Sequence, residues 1–434
     1  MKHSLHEVKL TSGVRVLFID VPYASTFSYS TVVRAGFKYA DQKAFELPHL
    51  LEHLAFDGTK QYPTPAEFAF VLEGEGTDCN ASTSPDLIRY YYTGGRTDLE
   101  NIIDLACGQL TDSVFDQAAI ESEKGVVDSE LSRLLENDGH MCSMVGVQYL
   151  EPLFGLSYPE RIAQFDGITR EAIVDYYRAT HVGNNTCIVL AADLARGKDI
   201  PRLTAQLEQR LGAMPKGEQR QHIKNGLPVG FRSQVLVTNS LKKSEGYFEL
   251  DFINTDYTED LGERVAMRIF NTILGGGSAS RLFLTTRQKG LSYGPQVSNR
   301  FDRNLSTAGF YDRAKPSKLL PLFTECMDQT FAIVHGDYTE AELERARGYL
   351  RGDLQSGFER PADLASWYGS NFVWGKKLRT PEDALVELQA VTREGIAVMA
   401  KKFYGSGNWL LSVRAPEGTV DAAAYRAVIL ETSK

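Results

Sequence analysis

The chain has 434 residues, 43% of them hydrophobic, and its 47 basic against 56 acidic side chains give a formal net charge of −9. That is enough apolar material for two ordinary domains with their own cores, and the acidic balance argues against nucleic acid as a partner. No stretch reaches the roughly 18 uninterrupted apolar residues of a membrane helix, and the opening "MKHSLHEVKLTSGVRVLFID" lacks the apolar core of a signal peptide, so no membrane association and a cytoplasmic location are expected.

In chain order, the β-rich run "VRVLFID" (14–20) comes first, followed by the apolar, helix-like segment "ELPHLLEHL" (46–54). Thr64-Pro65-Ala66-Glu67 has the form of a capping box with Pro at the first helical position. "LIRYYYT" (87–93) reads as a strand, "AAIESEKGVVDSELSRLL" (118–135) as a helix and "TCIVLAA" (186–192) as a strand. After the polar stretch "MPKGEQRQHIKNGLPVG" (214–230) come the strand-like "YFELDFI" (247–253), a second capped helix start at Thr380-Pro381-Glu382-Asp383, and "WLLSV" (409–413). Strands and helices are grouped rather than strictly alternating, which predicts an α+β fold with mostly antiparallel sheets packed against helices. Cys79, Cys107, Cys142, Cys187 and Cys326 are odd in number and widely spaced, so a disulfide framework or cysteine metal site is not indicated.

The chain also matches itself. "FDQAAIESEKGVVDSEL" (115–131) overlays "YTEAELERARGYLRGDL" (338–354) at an offset of 223, and "ITREAIVDYY" (168–177) overlays "VTREGIAVMA" (391–400) at the same offset. Two homologous domains are predicted, residues 1–212 and 233–434, joined by a linker over 213–232.

The chemistry is concentrated in "HLLEH". Positions four apart share one helix face, so His49 and His53 can direct both imidazoles to one point, with Glu52 projecting alongside. That is a two-histidine metal grip needing a third ligand from elsewhere. On the helix over 118–135, Glu123, Val127, Glu130 and Leu134 form one stripe, placing two carboxylates among core-facing neighbours. Either could serve a metal, and either could instead pair with Lys or Arg. In the second copy, His49, Glu52, His53 and Glu130 fall on Thr272, Gly275, Gly276 and Asp353. Residues present in one copy only point to function rather than to support of the fold.

"HLLEH", read as an inverted H-x-x-E-H zinc signature, followed by "AFDGTKQYP" and by Glu130 within "EKGVVDSEL", resembles the M16 metallopeptidases, the pitrilysin or insulinase family. Length and duplication resemble its short-chain branch, which includes bacterial peptidases and the mitochondrial processing peptidase. The resemblance implies one zinc ion per chain held by His49, His53 and Glu130, with Glu52 as general base and Glu123 supporting the site from behind. "TDCNASTSPDLIRYYY" resembles the family's substrate-binding strand, with Asn80 and Ala81 pairing with bound peptide. "GGGSASRLFLTTRQKGLSYGP" resembles the segment that brings an arginine and a tyrosine to substrate, here Arg287 and Tyr293, although it is one residue shorter than usual between Lys289 and Gly290. Arg281 competes for the arginine role, with a structural part as its alternative.

What the resemblance implies is a zinc endopeptidase acting on short or unfolded peptides, in a chamber between two half-shells of a homodimer or of a heterodimer with a related chain. The alternative is a non-catalytic peptide-binding or scaffold subunit of such a complex.

Overall fold

The β-rich runs picked out above become strands of two sheets, and those at 15–20 and 186–192, apolar nearly throughout, are buried along almost their whole length. A computed structural model describes residues 2–151, 154–223, 226–255, 261–301 and 305–433. In the first half the elements are β1 Ser4–Lys9, β2 Arg15–Asp20, β3 Thr26–Val33, α1 Leu47–Leu54, α2 Pro65–Gly74, β4 Asp78–Thr83, β5 Ile88–Gly95, α3 Leu99–Thr111, α4 Gln117–Leu135, α5 Asp138–Leu150, α6 Tyr158–Ile162, α7 Arg170–Thr180, β6 Thr186–Ala192 and α8 Ile200–Leu211. In the second they are β7 Gln234–Asn239, β8 Gly246–Asn254, α9 Leu261–Gly275, α10 Arg281–Gln288, β9 Gln296–Arg300, β10 Ser306–Ala314, α11 Pro316–Val334, α12 Glu340–Ser356, α13 Pro361–Phe372, α14 Pro381–Ala390, α15 Arg393–Tyr404, β11 Trp409–Ala415 and α16 Ala422–Thr432.

The first sheet has the order β1-β2-β6-β3-β5-β4 and the second β7-β11-β8-β10-β9. Setting β1 aside, the orders coincide strand for strand, down to one parallel pair in each, β2 with β6 and β7 with β11, in otherwise antiparallel sheets. The duplicated α+β architecture expected from the sequence is therefore what the chain adopts. Both capping boxes form: Glu67 N–H donates to Thr64 Oγ1 at 3.3 Å and Asp383 N–H to Thr380 Oγ1 at 3.0 Å, each answered by the carboxylate accepting from the threonine N–H.

Compactness does not follow the sequence break at 213–232. One unit comprises residues 1–131, 157–223 and 357–379; the other comprises 132–156, 224–356 and 380–434. Each half thus lends a helix to the other half's sheet: α13 packs on β2, β3 and β6, and α5 on β7, β8 and β11. The physical reason is that a sheet has two faces to cover, and the helices of its own half cover one. The exchange obeys the repeat. Gly369 of α13 passes Val189 of β6, where an added Cβ would come within 3.5 Å, and its counterpart at the 223 offset, Gly146 of α5, passes Ser412 of β11, where a Cβ would come within 3.1 Å. Glycine lets each helix lie close on its strand. The first part of the linker belongs to the first unit, where Arg220 N–H donates to Asn185 Oδ1 at 2.9 Å and Tyr39 Oη to Gln221 O at 2.9 Å.

A candidate metal centre beside a free sheet edge

Helix α1 buries Leu47, Leu50, Leu51 and Leu54, which fixes its rotation and turns His49, Glu52 and His53 to the half-buried side. The two imidazole rings stand 4.9 Å apart between centroids. His49 Nδ1 lies 3.0 Å from Glu46 Oε2, and His53 Nδ1 lies 2.8 Å from Glu123 Oε2. With both Nδ1 atoms engaged by carboxylates, both Nε2 atoms are left to face Glu130, whose Oε2 is 3.5 Å from that of His49 and 3.9 Å from that of His53. The three donor atoms lie within 4.8 Å of one another, and His49, His53 and Glu130 are the one such group among the described residues.

Helix α4 supplies both glutamates. Glu123 and Glu130 are two turns apart on one face, with Val127 fully buried between them. Glu123 orients a histidine and Glu130 completes the donor set. Two imidazole nitrogens and one carboxylate oxygen, each imidazole tied through its other nitrogen, are a donor set suited to a catalytic zinc ion.

Electrostatics follow from this crowding. Burial pushes the His49 pKa down, but the Glu46 hydrogen bond and charge, with the charges of Glu52 and Glu130, carry it above its ordinary value. Burial, aided by the charge of Glu123 and opposed by His53, pushes the Asp57 carboxyl up to about 6.

Glu52 Oε2 accepts from Thr83 Oγ1 at 2.5 Å. Thr83 ends β4, the outermost strand of the first sheet, which pairs with β5 on one side and, among the described residues, has no strand on the other. Asn80 and Ala81 lie in this edge strand, Asn80 exposed, with its Oδ1 accepting the Ala81 N–H at 2.7 Å. The edge is thus joined through one hydroxyl to the carboxylate beside the donor set.

Arg287 and Tyr293 belong to the second unit. They meet each other: the Arg287 guanidinium carbon lies 4.7 Å from the Tyr293 ring centre and 4.9 Å from that of Phe283, and Tyr293 is 78% exposed. The short connection between them turns at Gly290, with φ of 61°, a left-handed conformation that suits glycine. Arg281 is engaged elsewhere in a two-point pair with Glu342, Nε to Oε1 at 2.6 Å and Nη2 to Oε2 at 3.1 Å, which places it in support of the fold.

Glu46, Arg161 and Thr83 were not singled out in the sequence. Glu46 is wholly buried and pairs with Arg161, whose guanidinium carbon also lies 4.8 Å from the ring centres of Phe45 and Tyr158. A carboxylate three residues before His49, at the N-cap of its helix, was a usable signal for Glu46. Nothing local to Arg161 announces its partner.

Residues 15–145 match the family model described as Insulinase (Peptidase family M16), and residues 167–350 that of the Peptidase M16 inactive domain. An uncharacterized zinc protease of Streptomyces coelicolor is 23% identical over 93% of this chain and 89% of its own length. The beta subunit of the mitochondrial-processing peptidase of Saccharomyces cerevisiae is 24% identical over 90% of this chain and 87% of its own. Among solved structures, a protease from Helicobacter pylori superposes with a TM-score of 0.84 at 17% identity, covering 96% of this chain and all of that one.

Proposed function

The chain belongs to peptidase family M16, and from that premise we propose that it is a zinc-dependent endopeptidase of short or unfolded peptides. The observation that carries the reading is the convergence of His49 Nε2, His53 Nε2 and a Glu130 oxygen, within 4.8 Å of one another, beside a free strand edge. His49, His53 and Glu130 would hold the ion, one per chain. When bound there, zinc supplies Lewis acidity toward water and toward a carbonyl oxygen.

The chain's own residues do the rest. A peptide adds as a further strand along β4, where main-chain hydrogen bonds near Asn80 and Ala81 hold it with little sequence preference. Glu52 takes a proton from the attacking water and returns it to the leaving amine, and Thr83 fixes which Glu52 oxygen is free to do so. Glu46 and Glu123 keep the two imidazoles in one tautomer and orientation.

Arg287 and Tyr293, exposed together on the second unit, suit the substrate main chain or the charge that develops on the carbonyl oxygen. In a homodimer they would complete the site of the other subunit; a related chain could take that place. Among the described residues no helix is long and apolar enough to cross a membrane.

The test is metal content by elemental analysis paired with cleavage of a quenched fluorescent peptide before and after chelation and zinc return. About one zinc per chain, with activity that vanishes and returns, is the expected result. Purified chain without bound divalent metal and without cleavage would overturn the reading.

A further inference from the structure

Three arginines reach the side of the first sheet that α13 covers. Arg15 Nη1 donates to Phe372 O at 3.0 Å and Arg34 Nη2 donates to Val373 O, so both hold carbonyls at the C-terminal end of α13. Arg89 holds none. Its Nε and Nη2 share a single acceptor, Ser30 Oγ, at 3.3 and 3.0 Å, and its guanidinium carbon lies 5.0 Å from the Tyr91 ring centre. Among the described residues no carboxylate lies within ion-pair distance of Arg89, and burial lowers its pKa, with the nearby Tyr91 phenol opposing the shift. A guanidinium carries more N–H donors than one serine can satisfy, and a charge drawn out of water calls for a partner.

Arg89 borders a cavity of about 190 Å³, lined with it by Ser30 and Ser82 on the sheet side, by Ser366 and Ser370 on the α13 side, and by apolar side chains between them. That volume exceeds the ~30 Å³ share of one water several times over and accommodates a carboxylate or phosphate group. The cavity opens to solvent between exposed Ser82, Ser366 and Ser370. It lies across the sheet from the metal centre, because Thr83 turns its side chain to Glu52 while the preceding Ser82 faces the other way.

We propose that this cavity is a binding pocket for a small oxyanion, a carboxylate or phosphate group, held by Arg89 and the surrounding serine hydroxyls. The anion has two sources. One is a free ion. The other is an acidic side chain of a peptide lying along β4, since a strand turns alternate residues to each face; this second source rests on the peptidase reading, and the first does not.

The experiment is thermal unfolding of the zinc-loaded full chain across a series of sodium phosphate concentrations, against sodium chloride at equal ionic strength. The wild type is expected to show a saturable rise in Tm, with the apparent Kd weakened about tenfold or more in Arg89→Gln, which removes charge-assisted hydrogen bonds. Ser370→Leu, which fills the cavity from the helix side, should do the same and decides the matter if Arg89→Gln fails to fold. Phosphate at the metal centre would be common to all three proteins and cancels. Alongside, peptides matched except for Glu or Gln at one position separate the sources: a KM advantage for Glu that disappears in Arg89→Gln assigns the pocket to the peptide. A phosphate response equal to that in chloride, or unchanged in both variants, together with no Arg89-dependent preference for Glu, would overturn the proposal. Should no peptide be cleaved at all, the phosphate series still decides.

Discussion

Glu46, with no exposed surface, accepts from His49 Nδ1 at 3.0 Å through one oxygen and is paired with Arg161 through the other. One buried carboxylate therefore orients a metal-facing imidazole and neutralises a guanidinium enclosed by aromatic rings. We expect Glu46→Gln to weaken zinc affinity about 10- to 100-fold, as loss of an orienting partner does, and to destabilise the first unit by about 3–5 kcal/mol by stranding Arg161. Adding Arg161→Met should recover stability but not affinity. Chelator competition and denaturant unfolding read the two effects separately.

Glu52→Gln should keep the metal and lose at least about 100-fold in kcat, because it removes a general base without removing a ligand. Thr83→Val should also leave metal content unchanged while lowering kcat, since it frees the Glu52 oxygen now held at 2.5 Å. Normal turnover in Glu52→Gln would end the assigned role.

Glu130→Gln should lower zinc occupancy at a fixed chelator concentration, whereas Asp353→Asn, its counterpart at the 223 offset, should not. Asp353 lies 3.5 Å from Arg268 in a largely exposed ion pair, so its loss should cost less than about 1 kcal/mol. Equal zinc retention in the two variants would return Glu130 to a structural part.

His181 is 6% exposed, bonded to Tyr90 Oη at 3.2 Å and Thr180 Oγ1 at 3.1 Å, and burial pushes its pKa down to about 3. Unfolded, it takes up a proton near pH 6.5; folded, it resists until about 3. Between those values the unfolded chain binds more protons, so stability falls as pH is lowered, by about 1.4 kcal/mol per pH unit from this group. His181→Gln should remove that slope. Denaturant midpoints of both proteins from pH 7 to 4.5 measure the difference, and parallel curves would contradict it.

The motif and the repeat were legible because both are local or periodic. His49 and His53 share a helix face by spacing alone, and the capped starts at Thr64 and Thr380 are written in four residues each. Arg161 was not legible, because it meets Glu46 from 115 positions away and carries no local signature. The edge position of β4 was legible only through the family resemblance of the strand around Asn80 and Ala81, because strand pairing order is set by the whole sheet and no local residue states it. Least legible was the exchange of α5 and α13, since a helix with an apolar stripe does not state which sheet it will cover.

That exchange has a consequence for how the chain comes off the ribosome. Until Phe372 has been synthesised, the first sheet lacks the helix that shelters Val32 and Val189, although every strand of that sheet is complete by Ala192. Nascent chains must therefore carry an uncovered β-surface through the translation of the 180 residues from Ala192 to Phe372, a window in which holding chaperones protect against aggregation. A fragment ending at residue 212 would keep that surface permanently bare.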